Sequence, residues 1–189
     1  MKHFNRFLAA FIAILTLAVQ CPAAAQPMPK LLSPVLVTSL GQSLDAFQVQ
    51  LSLKRAQIEF DYDPTAPVEK MSGKKVLFLA IGASVKGFGS AGVSFDDELK
   101  RGNALVSAAQ GARIPIIVLH VGGAERRDKL TDQFVDVFAP KADALILKND
   151  SDLDGKFKSI AAAKKIPILT FDNVLNLRRP FQEMFGKTP

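Results

Sequence analysis

Two basic, glycine-rich stretches carry most of the chemistry open to this chain: Gly82-Ala-Ser-Val-Lys-Gly-Phe-Gly-Ser-Ala-Gly92 and His120-Val-Gly-Gly-Ala-Glu-Arg-Arg127. Glycine lets a backbone come close to a bound group, and turns built on it expose N–H donors. Lys86, His120, Arg126 and Arg127 add positive or protonatable groups, and a guanidinium can grip a carboxylate, phosphate or sulfonate with two hydrogen bonds. A third segment, Ser39-Leu-Gly-Gln-Ser43, enters a helix N-terminus, where free backbone N–H groups and the helix dipole favour an anion. The expected site is therefore a small-anion crevice. It is formed by Ser39, Gly41, Gln42, Ser43, Gly82, Ser84, Lys86, Gly87, Gly89, His120, Gly122, Gly123 and Arg126. No cofactor or metal is expected, and no residue is assigned a catalytic role.

Each of these residues also has a plainer reading. The glycines can simply satisfy turns, although a loop above about 12 residues is more often functional. His120 can be a hydrogen-bonded residue at a strand end. Arg126 and Arg127 can pair with Glu125 and Asp128, and only one of the two should point inward. Ser43 caps its helix in either case. Enzymatic readings are weaker. Ser84, His120 and Asp172 could be arranged as a triad, but Ser84 lacks the Gly-x-Ser-x-Gly elbow, because Lys86 stands where the second glycine should be. Gly87-x-Gly89-x-x-Gly92 starts too far beyond the preceding strand for a dinucleotide fingerprint, and no Gly-Lys-Ser/Thr follows for a P-loop. His120 has no partner histidine at zinc-ligand spacing. Thr38 and Ser39 stand where an aspartyl phosphatase would need its nucleophile. Glu59, Asp61 and Asp63 alternate with Ile58, Phe60 and Tyr62, which describes the solvated face of an edge strand.

The elements that must position these residues are legible as periodicity. Residues 76–81 and 116–119 are apolar throughout, the pattern of strands buried on both faces of a parallel sheet. Residues 35–39, 58–62, 144–147 and 166–171 complete six expected strands. Leu44, Phe47 and Leu51 recur at helical spacing and predict a helix to about Arg55. Ser94-Phe-Asp-Asp97 starts a second helix with a capping-box pattern, and its face is Leu99, Leu105, Val106 and Ala109. Leu130, Phe134, Val137 and Phe138 mark a third, which Pro140 ends. Asp150–Asp152 should cap a fourth whose buried face is Leu153, Phe157, Ile160 and Ala161. Asn173 caps a last short one. The alternation predicts a single three-layer α/β domain, residues 35–189. It should be doubly wound around a mostly parallel sheet, Rossmann-like or flavodoxin-like, with strand order beginning 2-1-3. The two glycine stretches and Ser39–Ser43 then share the carboxyl edge, where open α/β sheets bind ligands.

Lys2 and Arg6 precede an apolar run, residues 7–19, and then Ala23, Ala24 and Ala25, the order of a secretory signal peptide. Residues 1–25 are accordingly expected to be removed, residues 26–34 to form an extended leader, and the product to be periplasmic or secreted with no membrane span. The single cysteine, Cys21, falls in the removed segment, so no disulfide or thiolate chemistry is expected. The net charge is +6, with no tryptophan and one tyrosine. With the basic residues scattered, nucleic acid is not an expected partner.

Residues Lys141-Ala-Asp-Ala-Leu-Ile-Leu147, 160–163 and Ile166-Pro-Ile-Leu-Thr-Phe-Asp172 resemble the corresponding stretch in one lobe of sugar-type periplasmic binding proteins. Those proteins clamp a ligand between two lobes, and this chain has room for one. The set Thr38–Ser43, Gly82–Gly92 and His120–Arg127 is similar to an uncharacterised family of exported bacterial α/β proteins, a domain of unknown function. That resemblance implies export and one α/β domain. It supplies no substrate. The expected function is binding of a small anionic solute, with an envelope or transport protein as a further partner. The alternatives are a hydrolase or transferase using His120 and Ser84, or an envelope protein-interaction module.

Overall fold

The structure is a computed structural model that describes residues 26–187. The expected signal segment lies outside the described residues. Six strands form one sheet: β1 (Val35–Leu40), β2 (Phe60–Tyr62), β3 (Val76–Ile81), β4 (Ile116–His120), β5 (Ala144–Lys148) and β6 (Ile168–Phe171). Every neighbouring pair is parallel, in the order β2-β1-β3-β4-β5-β6. Six α-helices flank it: α1 (Asp45–Arg55), α2 (Val85–Ala91), α3 (Phe95–Gly111), α4 (Lys129–Phe138), α5 (Lys156–Lys164) and α6 (Arg178–Met184). This is the doubly wound, flavodoxin-like arrangement, with the strand order reversing between β1 and β3.

The side-chain alternation of the strands builds the two core layers. Leu36, Leu40, Leu77, Leu79, Val118 and Leu145 face Leu105, Phe134, Phe138 and Phe157 from α3, α4 and α5. Val35, Val37, Phe78, Ile117 and Ile146 face Ala46, Val49 and Leu53 of α1 and Phe181 and Met184 of α6. All six residues of β1 and of β3 are buried, as a strand covered on both faces requires. The short strand β2 has one neighbour, and Asp61 on its open face pairs with Lys74 at 2.6 Å. The segment before β1 is docked: the Leu31 N–H donates to the Met184 carbonyl (2.8 Å), and Leu31 is buried. Among the described residues no helix is long and apolar enough to cross a membrane.

Four local expectations are corrected. The glycine stretch after β3 is not an open loop. Ser84 caps α2 by accepting from the Gly87 N–H at 3.0 Å, and Gly92 ends the helix in the left-handed conformation. Helix α1 turns a different face to the sheet. Ala46, Val49 and Leu53 are buried, while Leu44, Phe47 and Leu51 stay exposed. Two helical stripes coexist in this segment, and the one with the smaller residues meets the sheet. Ser43 does not sit at the N-cap: Leu44 does, and the Ser43 hydroxyl accepts from the Asp45 N–H (3.2 Å) one turn-position earlier. Leu153 is exposed, because α5 begins three residues later, with Asp152 accepting from the Phe157 and Lys158 N–H groups (2.7 and 3.1 Å).

Candidate functional site

The reversal of strand order opens a crevice at the carboxyl edge, because the connections leaving β1 and β3 run to opposite faces of the sheet. The two strand ends are nevertheless tied together. The Ser43 N–H donates to the Gly82 carbonyl (3.1 Å) and the Ser84 N–H to the Gly41 carbonyl (2.8 Å). Gly41, at φ 101°, makes this possible, since a Cβ there would lie 2.6 Å from the Gly82 carbonyl oxygen. Gly87 lets α2 close onto the same segment, because any side chain would run into the Gln42 carbonyl.

Beneath this tie lies a buried charge network. Glu98 of α3 is fully buried, and its Oε1 accepts from the Gly41 N–H (3.0 Å), the Gln42 amide (2.8 Å) and Arg101 Nη2 (2.8 Å). Its Oε2 accepts from Arg101 Nε at 2.9 Å. Arg101 also donates to Thr38 Oγ1, the Ala66 carbonyl and the Ser39 carbonyl. A helix that packs under the sheet thereby fixes the backbone of residues 39–43 from below.

Above it is a cleft of about 570 Å³ lined by Gln42, Ser43, Leu44, Tyr62, Pro64, Ser84, Lys86, Gly87, Ser90, Ala91 and Arg126. Its wall carries two cations and no carboxylate. Lys86 and Arg126 are exposed, and neither forms an ion pair with another described residue. Burial, with Asp63 nearby, pushes the Tyr62 phenol above its ordinary value, so it is a neutral donor. Arg126 is shared with a second cleft of about 330 Å³, whose lining includes Asp45, Gly122, Glu125, Lys148 and Asp172. Asp45 is 2 % exposed, and its Oδ2 has no hydrogen-bond partner among the described residues. Burial pushes this carboxyl up, against the pull of His120, Arg126, the Ser43 hydroxyl and the Gly122 amide.

The expected residues divide accordingly. Gln42, Ser43, Ser84, Lys86, Gly87 and Arg126 meet in the first cleft, and Gly122 lies in the second. Ser39, Gly41 and Gly82 are buried beneath it. Gly89 lies on α2 with open space at its Cα. His120 is fully buried and stacks on Phe157, with Nδ1 2.8 Å from the Ile81 carbonyl and Nε2 3.3 Å from the Gly123 carbonyl. Its ring nitrogens thus face carbonyls and not Ser84, whose hydroxyl is committed to capping. Asp172 is exposed and accepts from Asn173 and Asn176 (2.7 and 2.6 Å). Arg127 turns away from both cleft cations. It pairs with Asp132 (2.8 Å) and Asp154 (2.7 Å) and lies 5.2 Å over the Phe157 ring. Among the described residues, no cluster of three or more His, Cys, Asp or Glu side chains is placed to hold a metal.

Leu44, Asp45, Tyr62 and Ser90 belong to the clefts although they are absent from the expected set. Tyr62 was recoverable, since strand order 2-1-3 puts the end of β2 beside the same edge. Asp45 looked like an ordinary acidic residue in a first helical turn.

Two further clefts open on the opposite edge of the sheet, one of about 550 Å³ with Lys30, Lys74, Lys75 and Arg113 and one of about 470 Å³ with Arg113 and Lys141. Lys75 and Arg113 there form no ion pair with another described residue, and the other three cations have partners. Lys74 pairs with Asp61, Lys30 donates to the Glu183 carbonyl, and Lys141 donates to Asn103. Arg113 follows the C-terminus of α3, where positive charge complements the helix dipole.

The family described as Domain of unknown function (DUF6305) matches residues 32–185, and the chain belongs to it. No curated protein matches the chain.

Proposed function

We propose that this DUF6305 protein binds a small anionic solute in the cleft at the β1/β3 reversal. One observation carries the reading: Lys86 and Arg126 face a cleft that holds no carboxylate, and neither cation has an ion-pair partner among the described residues. Arg127, next in sequence to Arg126, is by contrast answered by Asp132 and Asp154. Positive charge without an ion-pair partner at a concave place favours an anionic ligand. The Ser43 and Ser84 hydroxyls and the neutral Tyr62 phenol add orienting hydrogen-bond groups. Turnover by Ser84 and His120 has less support, since the imidazole is buried and bonded to backbone carbonyls. The segment order of residues 1–25 supports export, and with it a ligand met outside the cytoplasm. The resemblance to one lobe of periplasmic binding proteins is in keeping with solute binding.

The test is a thermal-shift screen of the purified protein against carboxylates, phosphate and sulfonates, followed by calorimetry. A ligand at 100 times its Kd adds about 2.7 kcal/mol, which raises Tm by roughly 5–11 °C for a domain of this size. Lys86→Ala and Arg126→Ala should each weaken binding by about 1.5–3 kcal/mol. No stabilisation by any anion, or wild-type affinity in both variants, would contradict the reading.

A further inference from the structure

The cleft does not end at its polar wall. Leu44 is 67 % exposed and lines it beside Tyr62. Phe47, 44 % exposed, meets the Tyr62 ring edge-on at 6.4 Å between centroids. Leu51, 39 % exposed, follows one helical turn later on the same side of α1. These residues form a continuous apolar strip that starts inside the cationic cleft and runs outward along α1 and the edge strand β2. Scattered exposed apolar residues are ordinary, but a contiguous row leading out of a pocket is not. Helix α1 carries Phe47 and Leu51 on this outer face and gives the sheet Ala46, Val49 and Leu53.

Resting on the anion-binding reading above, we infer that the ligand is an amphiphilic monoanion whose acidic head lies between Lys86 and Arg126 and whose hydrocarbon tail lies along Leu44, Tyr62, Phe47 and Leu51. The charge complementarity sets the direction. The cations lie in the cleft, and the strip from Leu44 through Phe47 to Leu51 offers apolar contact. A cleft of about 570 Å³ is of the size that encloses a small molecule, and the strip beyond it leaves the tail partly in solvent.

The experiment is calorimetric titration with straight-chain carboxylates from acetate to decanoate, each below its micellar concentration, with 1-octanol and octyltrimethylammonium as neutral and cationic counterparts. Affinity should rise about two- to fourfold per methylene until the tail passes Leu51, fourfold corresponding to the roughly 0.8 kcal/mol of a fully buried methylene. Octanoate should bind at least tenfold more tightly than either counterpart. Phe47→Ser combined with Leu51→Ser should flatten the dependence on chain length and leave butyrate unchanged, with circular dichroism confirming the fold. Arg126→Ala should weaken every acid alike. Affinity that is independent of chain length, or a slope retained in the double variant, overturns the amphiphile and leaves anion binding standing. Sedimentation showing a dimer that the double variant converts to monomer also overturns it, assigning the strip to a second copy. If no acid of any length and no inorganic anion binds, both readings fall.

Discussion

Glu98→Ala should cost more stability than any other single change at the cleft. The carboxylate is fully buried and accepts four hydrogen bonds, two of them from Arg101, whose side chain is 14 % exposed. Removing it strands the Arg101 cation with only neutral acceptors and leaves the Gly41 N–H and the Gln42 amide without their acceptor. Breaking a buried pair in this way costs about 3–5 kcal/mol, a large part of the roughly 5–15 kcal/mol that stabilises a domain. The corresponding fall in Tm is about 6–20 °C. The loop carrying Gln42 and Ser43 should loosen with it, so the anion affinity of whatever remains folded should drop as well. Thermal unfolding followed by circular dichroism measures the first effect. Glu98→Met combined with Arg101→Met separates burial from pairing: by removing both charges it should recover most of the loss. A Glu98→Ala protein that melts within about 2 °C of wild type, well inside the 6–20 °C expected from the buried-pair cost, would refute the reasoning. So would a double variant no more stable than the single one.

Three other outcomes are expected. Because burial holds the folded-state pKa of Asp45 above its ordinary 3.8, the folded protein keeps this proton to higher pH than the unfolded chain does, and the linked stability falls as pH rises through the raised value. Asp45→Asn should therefore be at least as stable as wild type at pH 7, with the difference shrinking as pH falls toward 3.8; Tm measured against pH for the two proteins checks the sign. Arg127→Ala should lower stability by about 1.5 kcal/mol, the lower end of the range for hydrogen bonds to charged groups because Asp154 is half-exposed, and it should leave anion affinity unchanged in calorimetry. Gly87→Ala should be destabilising on balance, because overpacking against the Gln42 carbonyl, toward the upper end of about 1–3 kcal/mol, outweighs a helix-propensity gain of about 1 kcal/mol, as denaturant titration would show.

The sheet was readable because residues 76–81 and 116–119 are apolar at every position, which leaves a parallel sheet covered on both faces as the natural arrangement. The charged alternation at Glu59, Asp61 and Asp63 likewise placed β2 at an edge. What periodicity could not supply was phase. In α1, Leu44/Phe47/Leu51 and Ala46/Val49/Leu53 are both helical stripes, and only packing against the sheet chooses between them. After β3, five glycine or serine residues between 82 and 90 spelled a loop, but the Ser84 cap and the close approach of Gly87 to Gln42 make a helix. The site shows the same division. Lys86 and Arg126 were visible as charges beside glycine, whereas the partners of Arg127 lie up to 27 residues away and its inward pairing has no local signal. Glu98, which holds the cleft floor, looked like one acidic residue among several in the first turn of α3.

The most direct test of the central claim is where an anion touches the protein. Backbone amide shifts of isotopically labelled protein, followed during titration with octanoate and separately with phosphate, report this residue by residue. Anion binding in the cleft predicts the largest changes at Gln42, Ser43, Ser84, Lys86, Gly87 and Arg126, shifted to higher ligand concentration in Arg126→Ala. Changes centred instead on Lys30, Lys75 and Arg113 at the opposite edge, or none at all, would contradict it.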